Sequence, residues 1–182
     1  MPSFRYNNEK AIAAVLYISK KVDGIRFHKL FKILYFAELK HLAKYGRPIV
    51  GDQYAAMEDG PVPSTIYDFL KQAGNIFRAS KFKAFFDVSV LRTVQPKTEP
   101  DMDQFSETDI VCLDQSIEEN KKLSWAELKA KSHDFAWTKA WSKRKGKKED
   151  MSVDDIIKVS GASEEIKEYM AQVDRYNAYK VA

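Results

Sequence analysis

Cysteine is almost missing from this chain. Cys112 stands alone among 182 residues, which excludes an internal disulfide and a cysteine-based metal cage. It lies in the apolar run Ile110-Val111-Cys112-Leu113, where it reads as a small buried side chain. Histidine is scarce as well, three in all, and no two have the His-Glu-x-x-His spacing of a helical zinc site. No apolar run approaches the ~18 residues of a membrane span, and the polar start MPSFRYNNEK lacks the apolar stretch of a signal peptide. A strong charge of one sign is missing too. Thirty basic residues face 26 acidic ones for a net +4, too mild to mark a nucleic-acid binder. A reducing, cytoplasmic setting without membrane contact is the expectation.

Apolar content is what the chain has in quantity. Hydrophobic residues make up 45%, enough for one globular domain over 1–182 with a substantial core. The apolar spacing predicts helices. Ile12, Val15, Leu16, Ser19 and Val22 share one face of a helix over about Asn8 to Val22, capped by Asn7 or Asn8 and stopped at Gly24. The next helix, about Phe27 to Tyr45, is apolar on most sides, with only a narrow polar band at Lys29, Lys32 and Lys40. Such a helix is central and buried. Gly46-Arg47-Pro48 ends it, Gly51-Asp52 turns the chain, and Gln53 to Glu58 reads as a short strand. Gly60-Pro61-Val62-Pro63 reads as a stiff loop leading into a helix over about Pro63 to Ala73, with Pro63 in its first turn and Gly74 as its stop.

Further on, Phe82 to Val94 alternates as a half-buried strand does, with Phe86, Val88, Val90 and Val94 on one side. Gln95 to Gln104 is a loop. Helices then open at Ser106 (to about Asn120), at the capping box Ser124-Trp125-Ala126-Glu127, at Asp134 (through Trp141), at Ser152 and at Ser163. Ser142 to Asp150 is low in complexity and reads as a flexible loop. The sum is an α+β fold, predominantly helical. A helix bundle surrounds the central helix at about 27–45, with a small antiparallel sheet of two or three short strands.

Four motifs carry a resemblance. They are Tyr35-Phe36-Ala37-Glu38; His41-Leu42-x-x-Tyr45-Gly46-Arg47-Pro48-Ile49; Gly51-Asp52-x-Tyr54-x-Ala56-Met57; and Gly60-Pro61-Val62-Pro63-Ser64-x-x-Tyr67-Asp68. Together they resemble the Panacea domain of the SocA-like antitoxin family, densely over about Ala11 to Leu70. Leu123-Ser124-x-x-Glu127-Leu128-x-x-x-Ser132-His133-Asp134-x-Ala136-Trp137 adds a weaker match. The resemblance implies a bacterial or phage-encoded, non-enzymatic antitoxin of a type II system. Its implied partner is a protein toxin encoded by an adjacent gene, in one variant delivered to a protease. Some relatives carry an added DNA-binding domain, for which this chain has no evident room. The oligomeric state is open at this level.

Other chemistry competes with that reading. His133-Asp134 suggests a hydrolase pair, yet Asp134 also suits a helix start, with His133 packing locally. Glu38 near His41, and Asp134 beside His133, leave a metal site as a further alternative; no cofactor is indicated. The basic segment 139–148 suggests a nucleic-acid-binding regulator, against the ordinary reading of a solvated loop. The aromatics Trp125, Phe135, Trp137 and Trp141 suit core packing or an interface. For the partner-binding surface, the sequence points to Asp59, Gly60, Pro61, Val62, Pro63, Ser64 and Tyr67. The family signature lies at Tyr45, Gly46, Arg47, Pro48, Gly51, Asp52, His133 and Asp134.

Overall fold

The first helix, α1 (Asn8–Lys21), begins where the Asn7 side chain accepts the Lys10 backbone N–H at 2.9 Å. The computed structural model describes residues 4–75, 77 and 79–181. Helix α2 (Phe27–Tyr45) has the bounds its apolar spacing predicts and ends at Gly46, whose φ of 63° is the left-handed conformation that glycine adopts freely. Two apolar clusters fill the interior, and α2 contributes to both. Leu34 faces the cluster shared with α1, while Tyr35, next in sequence, faces the other. A helix packed on opposite sides must be apolar on both, which is why no clean stripe is visible in its sequence.

Strands β1 (Tyr54–Met57) and β2 (Gly60–Pro63) form a hairpin against α2. The proline motif is therefore a strand and not a loop. Its two prolines alternate. Ser64 donates to the Gln53 carbonyl at 2.9 Å, and Ala55 pairs with Val62. That register places Pro61 and Pro63 where their missing N–H would have faced away from β1. Pro63 closes the strand and precedes α3 (Ser64–Ala73), in place of forming its first turn.

The alternating stretch 82–94 is not one strand. A 3-10 turn at Lys81–Ala84 leads into β3 (Phe86–Val88), which turns and pairs with β4 (Val94–Pro96). Arg92 at the turn has φ 59°, and Val90 is 99% exposed. Alternation alone does not show where a strand folds back on itself. Of the expected loop Gln95 to Gln104, the first two residues belong to β4 and the last three form a 3-10 turn at Met102–Gln104 before α4.

Helices α4 (Glu107–Asn120) and α5 (Trp125–Ser132) each start on a complete capping box, at Ser106 with Asp109 and at Ser124 with Glu127. Asp134 caps α6 (Phe135–Lys143), accepting the Trp137 N–H. The basic loop that follows ends in β5 (Glu149–Asp150), a two-residue strand on the free side of β1, so the sheet order is β2-β1-β5. Helices α7 (Val153–Ser160) and α8 (Glu164–Val181) complete the chain. The fold is α+β and helix-dominated, with a small antiparallel sheet, as the sequence predicts. Among the described residues, no helix is long and apolar enough to cross a membrane.

Candidate functional site

The two ends of α2 hold most of the polar chemistry. At its C-terminal end Glu38 is buried, and its carboxylate accepts the backbone N–H groups of Ile49 and Val50 at 2.5 and 3.0 Å. Burial pushes its pKa up to about 7, against the pull of those same N–H groups. Asp52 works in the same way on α3. Pro63 has no side chain to cap that helix, so Asp52 accepts the N–H groups of Thr65 (3.1 Å) and Ile66 (2.9 Å) from outside it.

Arg47 leaves the turn after α2 and donates to Asp109 Oδ1 at 3.1 Å and to Ser106 Oγ at 2.9 Å. Asp109 is wholly buried and also takes Lys10 Nζ at 2.5 Å. Burial would raise its carboxyl, but Lys10 and Ser106 hold it below the usual range. His41 stands between them, with Nδ1 2.7 Å from the Arg47 carbonyl and Nε2 3.0 Å from Thr108 Oγ1. The glycines are fixed by close approach. A Cβ on Gly51 (φ 76°) would lie 2.5 Å from the Arg5 carbonyl oxygen, and one on Gly46 would press on Met170, Tyr169 and Ile166. Pro48 is half-buried, and Tyr45 lies against the His41 ring at 4.7 Å. The signature residues from Tyr45 to Asp52 thus form a lock between α2, α3 and α4.

The opposite end of α2 is organised differently. Lys32, which its neighbours Lys29 and Lys40 suggest to be solvated, is 1% exposed. The hairpin turn folds over it. Its Nζ donates to the outward carbonyl of Pro61 at 2.9 Å, the one hydrogen bond of this three-donor group among the described residues. Gly60 (φ 105°) makes room for it: a Cβ there would meet Ser132 Oγ at 2.5 Å and Lys32 Cε at 2.6 Å. Burial lowers the Lys32 amine to about 7; the Asp59 carboxylate opposes this and Lys129 adds to it. His28, one turn earlier, is lowered to about 4 by burial and by the charge of Lys32. Among the described residues its Nε2 is buried without a hydrogen-bond partner, as is that of His133.

These groups border a cleft of about 570 Å³. Phe27, Phe31, Tyr67 and Trp125 supply aromatic walls, and Lys32 and His28 lie along them. Arg26, Arg92 and Lys147 bring positive charge to its margin. Lys147 comes from the basic loop, so the structure brings that segment to the same place as Asp59, Val62 and Tyr67 of the predicted surface. Of that surface, Gly60, Pro61, Val62 and Pro63 are buried, Ser64 and Tyr67 are half-buried and Asp59 is exposed. Trp125 is 51% and Leu91 64% exposed beside it.

His133 and Asp134 are brought together only in sequence. Asp134 uses one oxygen on the Trp137 N–H (2.9 Å) and the other on the Tyr35 hydroxyl (2.7 Å). His133 stacks on Trp137 with ring centres 3.5 Å apart, and Trp137 stacks in turn on Trp141. Burial, then Lys129 and Lys32, keep the His133 pKa low. Neither residue is posed as an acid–base pair. Among the described residues, no three His, Cys, Asp or Glu side chains gather as metal ligands would. Sequence reasoning missed Lys32; its one signal is a lysine set between Phe31 and Ile33, with Tyr35 and Phe36 a turn away.

The family model for the SocA-like antitoxin, Panacea domain, covers residues 30–138, well over half of the chain. No curated protein and no solved structure matches it. The matched range takes in Lys32, the lock, the hairpin, α5 and the His133-Asp134 cap.

Proposed function

Because the chain belongs to the SocA-like antitoxin, Panacea-domain family, we propose that it is the antitoxin of a type II pair and neutralises a protein toxin by binding it directly. The family match carries this reading. The arrangement of His133 and Asp134 supports a binding role, since both carboxylate oxygens of Asp134 are engaged in structure. Inhibition is steric: a preformed face covers the toxin's active site or blocks its substrate. Delivery of the bound toxin to a protease is a variant of the same reading.

The contact surface we assign is the margin of the cleft, with Asp59, Ser64 and Tyr67 from the hairpin and α3, joined by Leu91 and Trp125. The buried Gly60, Pro61, Val62 and Pro63 set its shape from beneath. An exposed tryptophan such as Trp125 is the kind of anchor that dominates protein interfaces. The test is rescue. The adjacent gene is expressed under tight control with and without this chain, and survival is counted alongside co-purification. Restored growth with a stable complex is expected. A harmless neighbour, or toxicity without rescue, would overturn the reading.

A further inference from the structure

We propose that the cleft beside Lys32 is a binding site for a small anionic molecule with a flat aromatic body, its acidic group directed to Lys32. The argument begins with cost. Burying an ammonium without a carboxylate partner costs several kcal/mol. Lys32 has no ion pair among the described residues, and Pro61 satisfies one of its three donors. Asp59, whose charge acts on Lys32, is held by Lys129 at 3.0 Å. The Nε2 of His28 lies along the same cleft, buried and, among the described residues, without a hydrogen-bond partner.

The size and lining define the ligand. About 570 Å³ falls in the range of ligand pockets, which combine apolar walls with a few convergent polar groups. Phe27, Phe31, Tyr67 and Trp125 line the cleft, with Trp125 half exposed, and aromatic walls suit a flat body. Charge favours an anion. Among the described residues that line the cleft, Lys32, Arg26, Arg92 and Lys147 outnumber Glu58 and Asp59, and Asp59 is already engaged. A phosphate and a carboxylate would both satisfy this chemistry. The site shares Tyr67 and Trp125 with the proposed toxin surface, and its test needs only this chain.

Calorimetry on the full chain tests it with adenosine 5′-monophosphate against adenosine, phenylacetate against phenylacetamide, and inorganic phosphate. One aryl anion is expected to bind with Kd below about 1 mM, at least tenfold tighter than its neutral counterpart and than phosphate. Which anion binds separates phosphate from carboxylate. Lys32→Met, similar in length and without charge, should weaken binding at least tenfold. In the wild-type protein the His28 imidazole and Trp125 indole resonances should shift on titration, a readout that stands even if the variant does not fold. No binding by either aryl anion overturns the proposal. So do equal affinity for the neutral analogue or for bare phosphate, unchanged binding by a folded Lys32→Met, or shifts confined to other residues.

Discussion

The two ends of α2 treat buried charge in opposite ways. At the C-terminal end, each buried charge is engaged: Glu38 by two backbone N–H groups, Asp109 by Lys10 and Arg47, and Asp52 by the start of α3. At the N-terminal end, Lys32 keeps unused donors and His28 an unused ring nitrogen. A satisfied network rigidifies a fold and has nothing left to offer a ligand. An unsatisfied one weakens the fold and keeps capacity for binding. The comparison separates signature residues that build the structure from residues free to do something else.

Removing the hub of the satisfied end should have the largest effect. Asp109→Ala strands Lys10 and Arg47, and urea denaturation should show a loss of about 3–5 kcal/mol. A loss below ~1 kcal/mol would end the claim that this end is a lock.

The unsatisfied end should show itself in pH dependence. Lys32 titrates at about 7 in the folded protein, whereas an unfolded lysine keeps its proton to ~10.4. Between these values the unfolded chain binds more protons, so stability rises with pH across that window. The Lys32 contribution reaches at most about 2 kcal/mol between pH 7.5 and 9. Urea midpoints at both pH values should show the wild type gaining more than Lys32→Met. Parallel behaviour would mean that Lys32 is charged and compensated in the fold. Glu38 acts in the other direction. Its raised folded pKa makes stability fall between about pH 4.5 and 7, with little change above.

Smaller effects sharpen the contrast. Asp52→Ala uncaps α3 and should cost about 1–2 kcal/mol by thermal melting; an unchanged Tm would show that Asp52 is dispensable as a cap. Trp125→Ala, at the margin of the cleft, should change stability by less than ~1 kcal/mol while weakening toxin affinity at least tenfold in a pull-down titration. Unaltered affinity would remove Trp125 from the contact surface.

Most local structure was legible in the sequence. The bounds of α2, the helix start at Ser106, the capping box at Ser124 and the caps at Asn7 and Asp134 follow from residue types a few positions apart. What was illegible depends on distant chain. Lys32 is polar by neighbourhood and becomes buried because the hairpin, thirty residues on, closes over it. Gly60-Pro61-Val62-Pro63 looked too rich in proline for a strand, but alternate prolines are compatible with an edge whose outward side needs no donors. The break inside 82–94 is set by a backbone reversal at Arg92 that alternation cannot report. The candidate surface was half legible. Its location beside Asp59 and Tyr67 came from motif density, whereas the cleft needs Arg26, Arg92, Trp125 and Lys147 from four separate segments.

The proline edge has a consequence for assembly. A foreign strand that tried to extend the sheet past β2 would find no amide hydrogen at Pro61 or Pro63, and one of the outward oxygens already taken by Lys32. On the far side the sheet ends in Glu149-Asp150, two carboxylates on a strand two residues long, poor material for a template. Both flanks of this sheet are thus poor templates for pairing with a second copy of the chain.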